Sequence, residues 1–186
     1  GVHGEEPAPV VAVHSMLAEM ENWGIPLIVI PNANPAGIVT GRRLPRWTPK
    51  DSPLASVIFR EVLCEGQDVG LFLDLHEDDR APGPYLFGHN GSVAAVEIRN
   101  LLYASGVEFP AELQSWWETD EKKLEIDGGI VWDFEDGSID DLMATAGAVT
   151  VVVETPTSWE LDRRVLLHSR ILAHVPSLYR HFVEER

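Results

Sequence analysis

Two short apolar runs constrain the fold more than any other feature of this 186-residue chain. They span residues 69–75 and 148–153 and are rich in Val and Leu. Continuous apolar runs of this length are typical of strands that are buried on both faces of a sheet. His76 directly follows the first run and Glu154 follows the second. Because sites in α/β folds form beyond the carboxyl ends of the strands, we expect these two residues in one site.

The runs alternate with segments of helical periodicity, which favours a single α/β domain over residues 1–186. We expect a three-layer sandwich, with a mixed, mostly parallel sheet and helices on both of its faces. A third buried strand is predicted at Pro26–Ile30, and polar loops are predicted at 31–53 and 77–91. The predicted helices are Pro9–Asn22, Leu54–Glu65, Ser92–Ser105 capped by Ser92, a short helix that a capping box begins at Ser138, and Trp159–Glu185 with an interruption near Pro176.

The charge of the chain argues against two classes of partner. Its formal net charge is −16, so it repels nucleic acid phosphates and anionic membrane surfaces. No apolar stretch approaches the roughly 20 residues that a membrane-spanning helix needs. Cys64 is the one cysteine, which excludes an intrachain disulfide. We expect a cytoplasmic protein with no nucleic acid or membrane partner.

A pair of potential metal ligands stands at the start of the sequence. His3 and Glu6 are three residues apart, and a tight turn brings such side chains to one side. With His76 they make two histidines and one glutamate, the ligand set of hydrolytic zinc sites that keep a position open for water. Glu154 is then available as the base for that water. Asp74 shares a strand face with His76, and it is either a hydrogen-bond acceptor for a ligand imidazole or the cap of a neighbouring helix.

Five segments, in this order along the chain, carry a family resemblance. They are Gly1–Glu6, Pro31–Gly37, Gly41–Arg43, Leu73–Glu77 and Val153–Pro156. Together they resemble the zinc carboxypeptidase superfamily, above all its short bacterial branch and the related deacylases of the succinylglutamate desuccinylase and aspartoacylase type.

The resemblance implies one zinc ion per chain, bound by His3, Glu6 and His76. It assigns Glu154 as the general base, which later donates a proton to the leaving amine. Trp132 lies where carboxypeptidases of the superfamily carry a substrate-contacting tyrosine, and it either packs or lines a substrate pocket.

The same resemblance implies an oxyanion-stabilising arginine at Arg43, with Arg42 as the competing candidate. The chain departs from the pattern in the next segment, 47–54, where the superfamily's Asn-Arg pair that holds a substrate carboxylate is absent. Arg46 or Lys50 can supply a positive charge there, although both suit a solvated loop. This departure puts carboxypeptidase specificity in doubt but leaves amide hydrolysis in place.

Two functional hypotheses follow from these residues. The first is a zinc-dependent metallohydrolase that cleaves a peptide or amide bond, with a peptide C-terminus or an N-acyl amino acid as substrate. The second is a non-catalytic relative that binds a metal or a ligand. A strand normally precedes a metal-ligand loop, so we also expect that the native protein has residues before Gly1 and that the domain is incomplete at this end.

Overall fold

The computed structural model describes residues 3–42, 48, 50, 52–58, 60, 69–89, 92–114, 123–132 and 137–184. Helices and strands alternate through most of this part of the chain. The elements are α1 (Pro7–Met20), α2 (Pro35–Thr40), α3 (Pro53–Ile58), β1 (Leu71–Asp78), β2 (Tyr85–Gly88), α4 (Val93–Ala104), β3 (Glu112–Gln114), β4 (Lys123–Glu125), β5 (Ile130–Trp132), α5 (Ile139–Thr145), β6 (Val149–Pro156), α6 (Leu161–Tyr179) and a π-helical turn (Arg180–Glu184).

Four strands form the main sheet, in the order β1-β6-β2-β5. β1 pairs in parallel with β6, and β2 pairs in parallel with β5, whereas β2 and β6 are antiparallel. β3 and β4 form a separate antiparallel pair. The expected mixed, mostly parallel α/β sheet is confirmed.

Helices cover both faces of this sheet. The odd-numbered side chains of β1 and β6, such as Leu75 and Val153, join a core with apolar residues of α1, α4 and α6. On the other face, Phe72 packs beside a smaller cluster that α3 and α5 supply. We refer to these as the α6 face and the α5 face. No helix among the described residues combines the length and apolar character needed to cross a bilayer.

Local sequence explains where several helices begin. α1 starts at Pro7, whose missing N–H is harmless in a first helical turn. Ser92 caps α4 as predicted, because its side chain accepts a hydrogen bond from the Ala95 N–H. Asn34 caps α2 through the Gly37 N–H at 2.9 Å, and the C-cap that follows the helix is Gly41, whose φ of 63° suits glycine.

The predictions for three segments were wrong. Pro26–Ile30 forms no strand: it is irregular, and Ile28 is 69% exposed. The segment 31–53, predicted as a loop, contains α2, and 77–91 contains β2. Apolar, β-branched composition identified Pro26–Ile30 as a candidate strand, but a strand also needs a hydrogen-bonded neighbour, and this segment has none among the described strands.

The predictions for two helix features also need correction. Ser138 precedes α5, but its hydroxyl donates to the Asp140 carboxylate instead of capping the helix. The final helix is not interrupted at Pro176, since α6 continues to Tyr179 and only then becomes a π-helical turn. The Glu65 end of the predicted helix 54–65 lies outside the described residues.

Candidate metal and catalytic site

A tight turn between His3 and Glu6 brings two potential ligands together. The Glu6 N–H donates to the His3 carbonyl at 3.3 Å, so the chain reverses over these four residues. Glu6 occupies the residue before α1 yet makes no side-chain cap. Its carboxylate is instead completely buried beside His76.

His76 completes a group of three ligand side chains from two distant segments. Its Nδ1 lies 3.1 Å from Glu6 Oε2, and its ring centroid lies 5.3 Å from that of His3. One ligand atom from each of the three residues lies within 4.8 Å of the others. Ligands that sit about 2.1 Å from a tetrahedral zinc ion stand about 3.4 Å apart, and the 3.1 Å between His76 Nδ1 and Glu6 Oε2 is near that value. Two imidazoles and a carboxylate also have the chemistry of a zinc site.

Asp74 is the outer partner of the His76 imidazole. Its Oδ2 lies 3.1 Å from His76 Nε2, the nitrogen that faces away from Glu6. Of the two roles left open for Asp74, this contact favours the acceptor for the His76 imidazole, whose orientation it fixes.

The charges of this group perturb each other. Burial by itself lowers the pKa of His76, but Asp74 and Glu6 outweigh burial and hold it well above 6.5. Burial by itself raises the pKa of Asp74, and attraction to His76 leaves it lowered. The carboxylates thus create a strongly cation-favouring pocket, and a divalent cation can take the place of the imidazolium proton.

Glu154 lies beside this group on the neighbouring strand. The parallel register places His76 directly opposite Glu154, and the antiparallel register places Tyr85 on the other side of Glu154. All three side chains project from the α5 face, on strands about 4.8 Å apart. The Tyr85 hydroxyl donates a hydrogen bond to Asp78 Oδ2 at 2.9 Å. A half-buried carboxylate therefore adjoins the potential metal ligands, where it can accept or donate a proton.

Glu77 lies on the α6 face, between the two segments that carry the potential ligands. One of its carboxylate oxygens accepts a hydrogen bond from the Ala8 N–H at 2.8 Å, and the other accepts one from Arg164. Ala8 lies in the first turn of α1, two residues after Glu6, and Glu77 directly follows His76. Burial raises the pKa of Glu77, although the Ala8 and Arg164 hydrogen bonds oppose that shift. One buried carboxylate thus connects both segments that carry potential ligands to α6.

A close backbone contact holds the His3–Glu6 turn against α2. The Gly4 N–H donates to the Arg42 carbonyl at 3.1 Å. A Cβ atom on Gly4 would lie 2.1 Å from the Gly37 carbonyl oxygen, so only glycine fits this contact. The Arg42 backbone is consequently fixed beside the ligand loop, while its side chain is exposed.

The structure separates Trp132 from the other predicted site residues. Trp132 packs on the α6 face, and a Cβ atom on Gly88 would lie 2.8 Å from its ring. Along β2, Gly88 is three residues from Tyr85, the neighbour of Glu154. Trp132 is therefore not brought to the cluster. Arg43 and Arg46 lie outside the described residues.

Sequence reasoning missed four residues around the site: Asp78, Tyr85, Glu77 and Arg164. Asp78 is two residues beyond His76 on the same strand. Because side chains alternate between the two faces of a strand, the sequence could have predicted that Asp78 shares the face of His76. The Tyr85 and Arg164 contacts depend on strand order and helix placement, which the local sequence does not encode.

Comparisons with known proteins identify the fold of the chain. A candidate metallopeptidase from Shewanella baltica has a TM-score of 0.78 at 20% identity, with 96% of this chain and 74% of that chain covered. A second, from Shewanella amazonensis, has the same score and identity over 98% of this chain and 74% of that one. No protein-family model matches the chain, and no curated sequence is a significant match.

Two further neighbours have lower TM-scores and different names. A succinylglutamate desuccinylase/aspartoacylase from Rhodobacter sphaeroides has a TM-score of 0.57 at 16% identity, over 98% of this chain and 53% of that one. The ectoine utilization protein EutE (DoeB) from Ruegeria pomeroyi has a TM-score of 0.59 at 18% identity, over 98% and 55% of the two chains. At these identities the likeness shows a shared fold.

Proposed function

We propose that the chain is the catalytic unit of a zinc-dependent metallohydrolase that cleaves a peptide or amide bond. The observation that supports this most is the convergence of His3, Glu6 and His76 in one buried group, with Glu154 beside it in register. Two imidazoles and a carboxylate leave one tetrahedral position for water or substrate. A structural zinc site would have closed that position with a fourth protein ligand.

Each residue has a defined part in the hydrolysis. Zinc, when bound, polarises the scissile carbonyl and lowers the pKa of a water molecule to about 7. Glu154 accepts a proton as that water's oxygen adds to the carbonyl carbon. When the C–N bond breaks, Glu154 donates this proton to the departing amine nitrogen. Asp74 holds the His76 ring throughout by accepting its Nε2–H.

Stabilisation of the oxyanion is assigned to Arg43, with Arg42 as the alternative. A fixed guanidinium at the developing negative charge is worth a few kcal/mol. Support for this assignment comes from the Gly4–Arg42 backbone hydrogen bond, which fixes residue 42 next to the ligand loop. Because the Arg42 side chain is exposed, Arg43→Ala is expected to reduce kcat more than Arg42→Ala.

We propose a peptide as the substrate, and an N-acyl amino acid as the second candidate. The neighbours with the higher TM-scores are named as candidate metallopeptidases, whereas the neighbour named as a succinylglutamate desuccinylase/aspartoacylase has a lower score. The deacylase candidate is retained because segment 47–54 lacks the Asn-Arg pair that would hold a peptide's terminal carboxylate.

The test combines zinc content with activity. Wild type, Glu154→Gln, His76→Ala and the exposed-site control Glu21→Gln would be loaded with Zn²⁺ and assayed on peptides and N-acyl amino acids. Glu154→Gln should retain zinc and lose at least a hundredfold in kcat, because only the proton-transfer group is removed. His76→Ala should lose both the zinc at this site and the activity, and Glu21→Gln should match wild type.

The outcomes separate the hypotheses. The preferred substrate decides between a peptidase and a deacylase. Zinc retained by wild type and lost in His76→Ala, with no turnover on any substrate, would favour the non-catalytic metal-binding relative. Equal zinc content in wild type and His76→Ala, with His76→Ala still active, would refute the site assignment.

A further inference from the structure

A second convergent group of ligand side chains lies at the other end of the sheet. His89 directly follows β2, and its Nε2 lies 3.3 Å from Asp140 Oδ2 and 3.4 Å from Asp141 Oδ1. One ligand atom from each of the three residues lies within 4.8 Å of the others. The side chains of all three are nearly buried, at 7%, 13% and 10% exposure. β2 runs antiparallel to β6, so this group lies near Thr150, four residues or about 13 Å along β6 from Glu154.

The separations of these atoms fit a tetrahedral metal site, and they are long for hydrogen bonds. An N–H···O hydrogen bond is usually about 2.9 Å long, and a single Nε2–H cannot point well at two oxygens at once. By contrast, ligands about 2.1 Å from a tetrahedral zinc ion stand about 3.4 Å apart. Both distances from His89 Nε2 agree with that second value.

The remaining carboxylate oxygens have their own donors. Asp140 Oδ1 accepts from the Ser138 hydroxyl, and Asp141 Oδ2 accepts from the Gly137 N–H at 2.7 Å. Such outer hydrogen bonds orient ligating carboxylates. The other oxygen of each carboxylate faces His89 Nε2.

A buried hydroxyl next to the group supplies an independent observation. Thr150 is 1% exposed, and its Oγ1 has no hydrogen-bond partner among the described residues. Gly88 pairs with Val151, so the antiparallel register places His89 opposite Thr150, on the same face of the sheet. A buried hydroxyl without a partner is costly, and a water molecule bound to a cation at this group would provide one.

We propose that His89, Asp140 and Asp141 bind a second divalent transition-metal ion, Zn²⁺, with water as the fourth ligand. An imidazole and two carboxylates suit zinc, and the ion offsets the charge of two nearly buried carboxylates that lie beside this imidazole. The ion joins the end of β2 to the start of α5 and lies apart from the proposed catalytic zinc.

The test counts zinc ions per chain. Protein stripped with a chelator would be reloaded with Zn²⁺, desalted and analysed for metal, and Co²⁺ loading would report a tetrahedral site through its visible absorption. Wild type should bind two ions. His89→Ala, Asp140→Asn and His76→Ala should each bind one, His76→Ala/His89→Ala should bind none, and the exposed-helix control His14→Ala should bind two.

Two results would overturn the proposal. One is a His76→Ala protein that is folded by circular dichroism but binds no zinc. The other is an Asp140→Asn protein with as much zinc and the same cobalt spectrum as wild type, which would mean that a protonated His89 simply pairs with the two carboxylates. Asp140→Asn, nearly isosteric, keeps the test valid if His89→Ala does not fold. If the proposed catalytic zinc site were wrong and this second site right, the result would be distinguishable. Wild type would then bind one zinc ion, and only the His89 and Asp140 variants would lose it.

Discussion

The buried His168 should make the protein lose stability between pH 7 and pH 5. This side chain is fully buried in α6, and its Nε2 lies 3.1 Å from Thr155 Oγ1. Burial, helped by the nearby positive charges of His76 and Arg164, lowers the pKa of His168 from 6.5 to about 3. The folded protein therefore holds this ring neutral over a pH range in which the unfolded chain binds a proton to it.

The sign and size of the effect follow from proton linkage. Between the two pKa values the unfolded state binds more protons, so the free energy of unfolding rises with pH by about 1.4 kcal/mol per unit. The stability associated with the neutral His168 ring, measured as free energy of unfolding, is fully present above pH 6.5 and is lost as the pH falls towards 3. From pH 7 to pH 5 this loss amounts to about 2 kcal/mol.

Urea unfolding at both pH values, with metal chelated, measures this loss. His168→Gln removes the titrating ring, so wild type should lose about 2 kcal/mol more than the variant between pH 7 and pH 5. His14→Gln, at an exposed position of α1, should behave as wild type. Equal losses of unfolding free energy in wild type and His168→Gln would refute the reasoning. Carboxylates and the other histidines contribute to the pH dependence of both proteins, so only His168 can cause a difference between them.

Two further substitutions test local packing. Gly4→Ala should lower the free energy of unfolding by about 2 kcal/mol, since its methyl would overlap the Gly37 carbonyl. The control Gly24→Ala has nothing within 4 Å of the added methyl and should cost about 1 kcal/mol through its φ of 66° alone. Equal losses of unfolding free energy in urea titrations would contradict the close contact at Gly4. Ser92→Ala should cost about 1 kcal/mol because the cap of α4 is lost, and Ser177→Ala, at an exposed position of α6, should change the urea midpoint little.

The sequence predicted the part of the site that depends on strand ends. His76 and Glu154 each follow an apolar run, and parallel neighbours bring their carboxyl ends to the same edge of a sheet. The structure pairs these two residues in register, although both strands continue two residues beyond them. The period of two also placed Asp74 on the face of His76, where the two side chains are in contact.

What the sequence could not predict depends on neighbours that are distant along the chain. The composition of Pro26–Ile30 is that of a strand, but β-structure needs a partner edge. The segment instead lines a cavity of about 640 Å³ beside β1. β2, at Tyr85–Gly88, lies within the segment 77–91, whose polar, Pro- and Gly-containing composition predicts a loop. His89 and Asp140 are about fifty residues apart, and each suits an ordinary turn or helix start when seen alone.

At the ends of β1 and β6, successive side chains point to opposite faces of the sheet, so each strand contributes both to the site and to the α6 face. His76 and Glu154 project from the α5 face, and the residues that follow them, Glu77 and Thr155, project into α6. Because Glu77 also accepts the Ala8 N–H, the position of Glu6 depends on contacts made on the far side of the sheet from the ligand group.

Metal affinity should therefore depend on Arg164, a residue that is not a ligand. Arg164→Met leaves the buried Glu77 carboxylate without its guanidinium, which should loosen the first turn of α1 and raise the zinc Kd about tenfold. The matched control is Arg163→Met on the same helix, since Arg163 stacks over the Trp159 ring at 3.5 Å and is exposed. Competition titration with a zinc chelator, in a His89→Ala background so that only the first site is counted, gives both constants. A lower unfolding free energy with an unchanged zinc Kd would mean that Arg164 stabilises the fold and does not position the ligands.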